Sequence, residues 1–102
     1  ERADGDILHL GTAEFEVIEA PGHTPGGVVL LGKGSAEGVA FVGDTLFPGS
    51  HGRTDLAGGD EGQILASLHK LADRIHPSTR LLCGHGPSTT MSAELSRNPF
   101  LR

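Results

Sequence analysis

At 102 residues and a net charge of -5, the chain has room for one small domain at most, and its eight Lys and Arg form no cluster that would suit nucleic acid or an anionic membrane. No apolar run exceeds four residues, too few to span a bilayer, and Glu1-Arg2-Ala3-Asp4 shows none of the apolar character of a secretory leader. Cys83 is the one cysteine, which rules out an internal disulfide and points to a reducing, cytoplasmic setting, while 16 glycines and 4% aromatics leave so little core that a larger domain or a partner is expected.

Gly5 to Leu10 reads as a turn and a short strand, and Gly11-Thr12 as a tight turn. Ala13 to Glu19 alternates, with Ala13, Phe15 and Val17 on one face and Glu14, Glu16 and Ile18 on the other, which predicts a strand wet on one side with Ile18 as the exception. Pro21-Gly22-His23-Thr24-Pro25-Gly26-Gly27 follows, a loop whose two prolines and three glycines shape the backbone around one histidine. Val28-Val29-Leu30-Leu31 is unbroken and apolar, as a buried strand is, and Gly32 to Gly38 is a polar turn that predicts a hairpin into Val39–Val42.

Residues 45–59 read as one long loop, a length more often functional than accidental. A helix then opens at Asp60, with Gln63 three residues on as in a capping box. Ile64, Leu68, Leu71 and Ile75 mark its core face, and Pro77 stops it. Arg80–Cys83 is a short strand, and Ser88 or Thr89 caps a last helix that runs to about Arg97 and ends at Pro99. The order is roughly β-β-β-β-α-β-α, an α/β arrangement.

His23, Asp44 and His85 each follow a strand and a turn containing glycine. Ligands collect at the carboxyl ends of strands in sheets covered by helices. Two imidazoles and a carboxylate suit zinc or iron(II), although histidines in Gly/Pro loops are also common as plain surface turns.

Pro21-Gly22-His23-Thr24-Pro25-Gly26, Gly43-Asp44-Thr45-Leu46-Phe47 and Gly84-His85-Gly86 together resemble the second half of the metallo-β-lactamase superfamily. Gly52-Arg53-Thr54-Asp55 and Asn98-Pro99-Phe100-Leu101 are similar to its glyoxalase II-like branch. The resemblance spans nearly all of residues 1–102 and implies the C-terminal half of an αβ/βα sandwich with metals at one edge. It implies that His23 binds a first metal, Asp44 bridges both and His85 binds the second. It also implies zinc, two ions in the complete site, with iron(II) or manganese(II) as alternatives. The family's remaining ligands come from a His-x-His-x-Asp-His motif in the first half, and this sequence has none.

The activity implied is hydrolysis of a small-molecule thioester by a metal-bound hydroxide, with Asp44 as bridging ligand rather than general acid. An iron-dependent persulfide dioxygenase has a similar pattern, including Gly52-Arg53-Thr54-Asp55, and a non-catalytic, self-associating half-domain is a third reading. Half a sandwich exposes an apolar sheet face, so a missing N-terminal half or a second copy is the expected partner. Arg53 suits a substrate carboxylate or an internal pair with Asp55. His51 reads as a solvated loop histidine or one facing substrate. Cys83 reads as a small core residue or a thiol near the metal, and Thr24 as a turn hydroxyl or a group that fixes His23. His69 falls off the apolar stripe, His76 suits the C-terminal end of its helix, and Glu94 reads as a helix-surface charge.

Overall fold

The computed structural model describes residues 4–23, 27–55, 58–84 and 86–101. Among these, the elements follow the expected order with three short strands added. They are β1 (Ile7–Leu10), β2 (Ala13–Glu19), β3 (Val28–Lys33), β4 (Val39–Gly43), β5 (Leu46–Phe47), β6 (Ser50–His51), α1 (Glu61–Arg74), β7 (Arg80–Cys83), β8 (Thr89–Thr90) and α2 (Met91–Arg97). Six strands form one sheet in the order β1-β2-β3-β4-β7-β8. β1 to β4 are an antiparallel meander, β4 and β7 are parallel across the α1 crossover, and β8 returns antiparallel.

The topology decides where loops gather. β4 and β7 run the same way, so their carboxyl ends share one edge of the sheet. β3 opposes β4 and β2 opposes β3, so the end of β2 and the start of β3 lie at that same edge. The loops holding His23 and Asp44 and the turn after Cys83 therefore leave the sheet side by side.

One face of the sheet carries the core. Ile18, Val29, Leu31, Ala40, Val42 and Leu81 pack with Ile64, Leu68, Leu71 and Ile75 of α1, and Met91 and Leu101 close the same cluster. The expected apolar stripe of α1 is thus the buried one. Asp60 caps α1 by accepting from the Gln63 backbone N–H at 2.9 Å. The reciprocal half of a capping box is replaced, because the Asp60 N–H donates to the Gly22 carbonyl at 2.7 Å and ties α1 to the His23 loop.

Phe15 and Val17 of β2 are buried and Glu14 is exposed, as the alternation predicts, but Glu16 is not fully wet. Glu16 and Ile18 share the face that α1 covers. There Glu16 reaches Arg74 of α1 at 2.6 Å and Lys33 at 3.2 Å, while Ile18 enters the core. These carboxylate pairs are what allow a charged residue on a covered face. The opposite face carries the row Val17, Leu30, Phe41 and Leu82 in register across β2, β3, β4 and β7. Leu8 pairs with Phe15 beside it, and Phe15 meets Phe41 edge-to-face at 5.7 Å. On this face Val17 and Phe15 are 0% and 7% exposed, while Leu10, Phe41 and Val28 remain 57%, 43% and 38% exposed.

Residues 45–59 are not one loop. β5 and β6 form a two-stranded hairpin closed by Pro48-Gly49, with Gly49 at φ 76°. Proline at the first turn position and a positive-φ glycine at the second are the requirements of a type II turn. The α2 cap is also displaced. Thr90 accepts from the Ala93 N–H at 3.1 Å, while Thr89 joins β8. No described helix is long and apolar enough to cross a membrane.

Candidate metal centre

His23 and Asp44 come together at the loop edge. His23 Nε2 lies 3.8 Å from Asp44 Oδ2, with the side chains 24% and 36% exposed. His23 Nδ1 lies 2.8 Å from the Arg53 carbonyl oxygen. A carbonyl only accepts, so Nδ1 donates to it, and Nε2 is the ring nitrogen on the side of Asp44. Donors held at about 2.0–2.2 Å from one divalent cation at the tetrahedral angle stand roughly 3.3–3.6 Å apart, slightly closer than this pair. The pair is near that separation, and imidazole nitrogen and carboxylate oxygen are donor types that zinc and iron(II) accept.

The backbone around this pair is packed to the limit. A Cβ on Gly52 would stand 1.9 Å from the Asp44 carbonyl oxygen and 3.0 Å from His23 Cγ. A Cβ on Gly84 would stand 2.6 Å from Asp44 Oδ1. Two turns therefore approach Asp44 as only glycine permits. Its two oxygens also face different loops, Oδ2 towards His23 and Oδ1 towards Gly84. The Gly84 N–H donates to the Gly43 carbonyl at 2.8 Å and fixes the end of β7 beside Asp44. His85 and Thr24 lie outside the described residues, and among the described residues no group of three or more His, Cys, Asp or Glu is placed to hold a metal.

Arg53 contributes its backbone to the site and its side chain to an ion pair. The guanidinium donates to both Asp55 oxygens at 2.7 and 2.9 Å. That pairing raises the Arg53 pKa and lowers that of Asp55. Both side chains remain well exposed. Of the two readings open for Arg53, the internal pair is the one formed.

His51 is packed rather than solvated, which corrects the sequence reading. Its side chain is 11% exposed, with Nε2 at 3.2 Å from Glu61 Oε2 and its ring edge-to-face with Phe100 at 4.5 Å. Cys83 is half-buried at the end of β7, and burial, followed by the charges of Glu94 and Asp44, pushes its thiol pKa up. His69 is exposed on α1, as expected, and His76 is exposed beyond the helix end, where its Nδ1 accepts from the Ser78 N–H at 3.1 Å.

Glu94 is the largest departure. It is 3% exposed, not a surface charge. Its Oε1 accepts from the Gly49 N–H and from Asn98 Nδ2, both at 2.9 Å, and its Oε2 accepts from the Thr89 hydroxyl at 2.8 Å. The signal was present in the sequence. Met91, Glu94, Asn98 and Leu101 fall on one helical stripe, and polar residues on a buried stripe must be bonded. A separate cavity of about 420 Å³, lined by Lys33, Glu37, Arg74 and Ser78 among others, opens at the far end of the strands and shares no residue with this centre.

Residues 2–91 match the family described as the metallo-beta-lactamase superfamily. The chain belongs to the metallo-β-lactamase superfamily. A Haemophilus influenzae relative, hydroxyacylglutathione hydrolase GloC, is 38% identical over 98 residues, which span 96% of this chain and 45% of that protein. The BLEG-1 B3 metallo-beta-lactamase structure superposes with a TM-score of 0.88 at 42% identity, over 98% of this chain and 47% of that one. TTHA1623, solved in a di-iron-bound form, gives 0.83 at 41% identity, again over 98% and 47%. The chain thus spans about half the length of the proteins it matches. Its mixed sheet with two helices corresponds to about half of the metallo-β-lactamase fold.

Proposed function

We propose that the protein containing this chain is a metal-dependent thioester hydrolase of glyoxalase II type, with His23, Asp44 and His85 among its metal ligands. The observation that carries this reading is the His23–Asp44 pair, whose donor atoms stand 3.8 Å apart with the outer imidazole nitrogen fixed by Arg53. The 38% identity to GloC supports the thioester class. A divalent cation held there would supply polarisation of the acyl carbonyl and lower the pKa of water towards about 7.

The chain's own residues set the geometry. His23 presents Nε2 because Arg53 holds its Nδ1 proton. Asp44, with one oxygen towards each of two loops, would be a ligand shared by the two ions. Water adds to the acyl carbon, the C–S bond breaks, and the thiol leaves with the proton that water gave up. Arg53, exposed on the loop that touches His23, is the proposed partner of a substrate carboxylate, for which it would exchange Asp55.

The partner we propose is the N-terminal half of the same polypeptide, seated on the sheet face of Leu30, Phe41 and Leu82. The matched proteins are about twice the length of this chain, and the face is apolar across four strands. Sedimentation of the isolated chain as a soluble, stable monomer would contradict this.

A second reading, an iron-dependent persulfide dioxygenase, is favoured by one observation, that a 41%-identical structure holds two irons. Turnover decides between the two. The full-length protein is expected to release thiol from acyl-glutathione esters and to lose that activity on chelation. Oxygen uptake with a persulfide, without thioester turnover, would replace the first reading by the second.

A further inference from the structure

The centre described above rests on a hairpin that has no bond to the sheet beyond its own root. β5 and β6 pair only with each other among the described residues. Yet Gly52, the residue after the hairpin, abuts Asp44 and His23, and Arg53 supplies the carbonyl that orients His23. Leu46 roots the hairpin in the core and His51 meets Glu61 and Phe100, which leaves the Pro48–Ser50 turn to be held.

We propose that Glu94 of α2 and Asn98, the residue that caps its C-terminus, are positioning residues for the metal centre, acting through the Pro48–Ser50 turn on the backbone that orients His23. This rests on the reading of His23 and Asp44 as metal ligands. Glu94 Oε1 accepts from the Gly49 N–H at 2.9 Å, and Asn98 Nδ2 donates to the Ser50 carbonyl at 2.9 Å. Both tip groups of the turn are therefore bonded to the end of α2 and its cap. Asn98 Nδ2 also donates to Glu94 Oε1 at 2.9 Å, and Thr89 anchors Oε2 from β8 at 2.8 Å. Asn98 Oδ1 accepts from the Phe100 N–H at 3.0 Å, so the ring that packs on His51 is tied to the same amide. Glu94 and Asn98 are 3% and 0% exposed, so these bonds are shielded from water.

The path to the metal is short. From the clamped turn the chain passes through Ser50 and His51 to Gly52, whose N–H donates to the Thr45 carbonyl at 3.1 Å. Arg53 follows, with its carbonyl 2.8 Å from His23 Nδ1. A turn freed from α2 lets that carbonyl drift and releases the imidazole to rotate or to move its proton to Nε2, where it blocks coordination. Neither residue touches the metal or the substrate.

The test uses the full-length protein with Glu94→Ala, Asn98→Ala and Glu94→Gln. Leu68→Ala, a core truncation on α1, controls for general destabilisation. Glutamine keeps every contact, since its oxygen accepts from Gly49 and Asn98 and its amide donates to the Thr89 hydroxyl. Two readouts are taken. One is the zinc dissociation constant by competition with a chromophoric chelator. The other is the His23 ring tautomer in metal-free protein by nitrogen-15 NMR.

Both alanine variants are expected to weaken zinc binding about 10- to 100-fold, as removal of outer ligand support does, and to raise the Nε2–H form of His23. Glu94→Gln is expected to stay within about threefold of the parent. If either alanine variant fails to fold, the other and the glutamine rescue still decide. Alanine variants that match Leu68→Ala in zinc affinity and keep His23 as Nδ1–H would overturn the proposal. Loss of thioester turnover in every form, with the zinc and tautomer shifts intact, would sink only the hydrolase reading.

Discussion

Phe41 provides a direct test of what covers the bare sheet face. Its ring is 43% exposed in this chain, although Phe15 packs against one edge. An aromatic side chain buries about 150–250 Å² when fully covered, so roughly 85 Å² of Phe41 remains for a partner to cover. At about 25 cal/mol per Å², covering that remainder contributes about 2 kcal/mol. Phe41→Ser is therefore expected to destabilise the full-length protein by about 2 kcal/mol more than it destabilises the isolated chain. Urea unfolding of both forms, with and without the substitution, measures the difference. An equal cost in the two forms would mean that the face stays wet in the complete protein and that the half-sandwich reasoning is wrong.

Three further outcomes follow from the geometry. Gly52→Ala places a methyl 1.9 Å from the Asp44 carbonyl. It is expected to cost about 1–3 kcal/mol, the usual range for overpacking, and to weaken metal binding, as thermal melting and chelator competition would register. Asp60→Ala removes the cap bond to Gln63 and is expected to cost about 1 kcal/mol in melting experiments.

Acid should also unfold the protein through two carboxyls. Asp4 has its pKa lowered, first by the Glu19 N–H and then by Lys70. For Glu16, burial acts upward but is outweighed by Arg74 and Lys33, so its pKa is lowered as well. A depressed folded pKa means that the unfolded chain binds more protons. That stability is present above the ordinary carboxyl values and is lost as pH falls through the depressed ones. Arg74→Ala should flatten the decline below about pH 4, and an unchanged acid limb would refute the assignment.

The elements that sequence patterning located are those whose signals are local. β2 has the expected bounds because alternation ends where Pro21 begins, and α1 begins at Asp60 because the cap and the apolar stripe agree. The three strand ends were legible for the same reason, since each is an apolar run closed by glycine or proline. β5, β6 and β8 have two residues each, too short for any period, and the Pro48-Gly49 turn was the only sign of the hairpin.

Long-range pairing was harder to read. Glu16 looked wet because its partners, Arg74 and Lys33, lie 58 and 17 positions away in the chain. Glu94 looked like surface because nothing nearby in sequence announces the Gly49 N–H that it meets. Among the described residues His23 is supported by the Arg53 carbonyl, a backbone group that no side-chain motif encodes.

The central claim is that His23 and Asp44 belong to a metal site, and metal content tests it most directly. Full-length protein, purified without chelator and measured by inductively coupled plasma mass spectrometry, is expected to carry about two divalent ions. Asp44→Ala is expected to lose them and to lose turnover with them. Metal content and turnover unchanged in Asp44→Ala would contradict the account, because the carboxylate that faces both loops would then hold nothing.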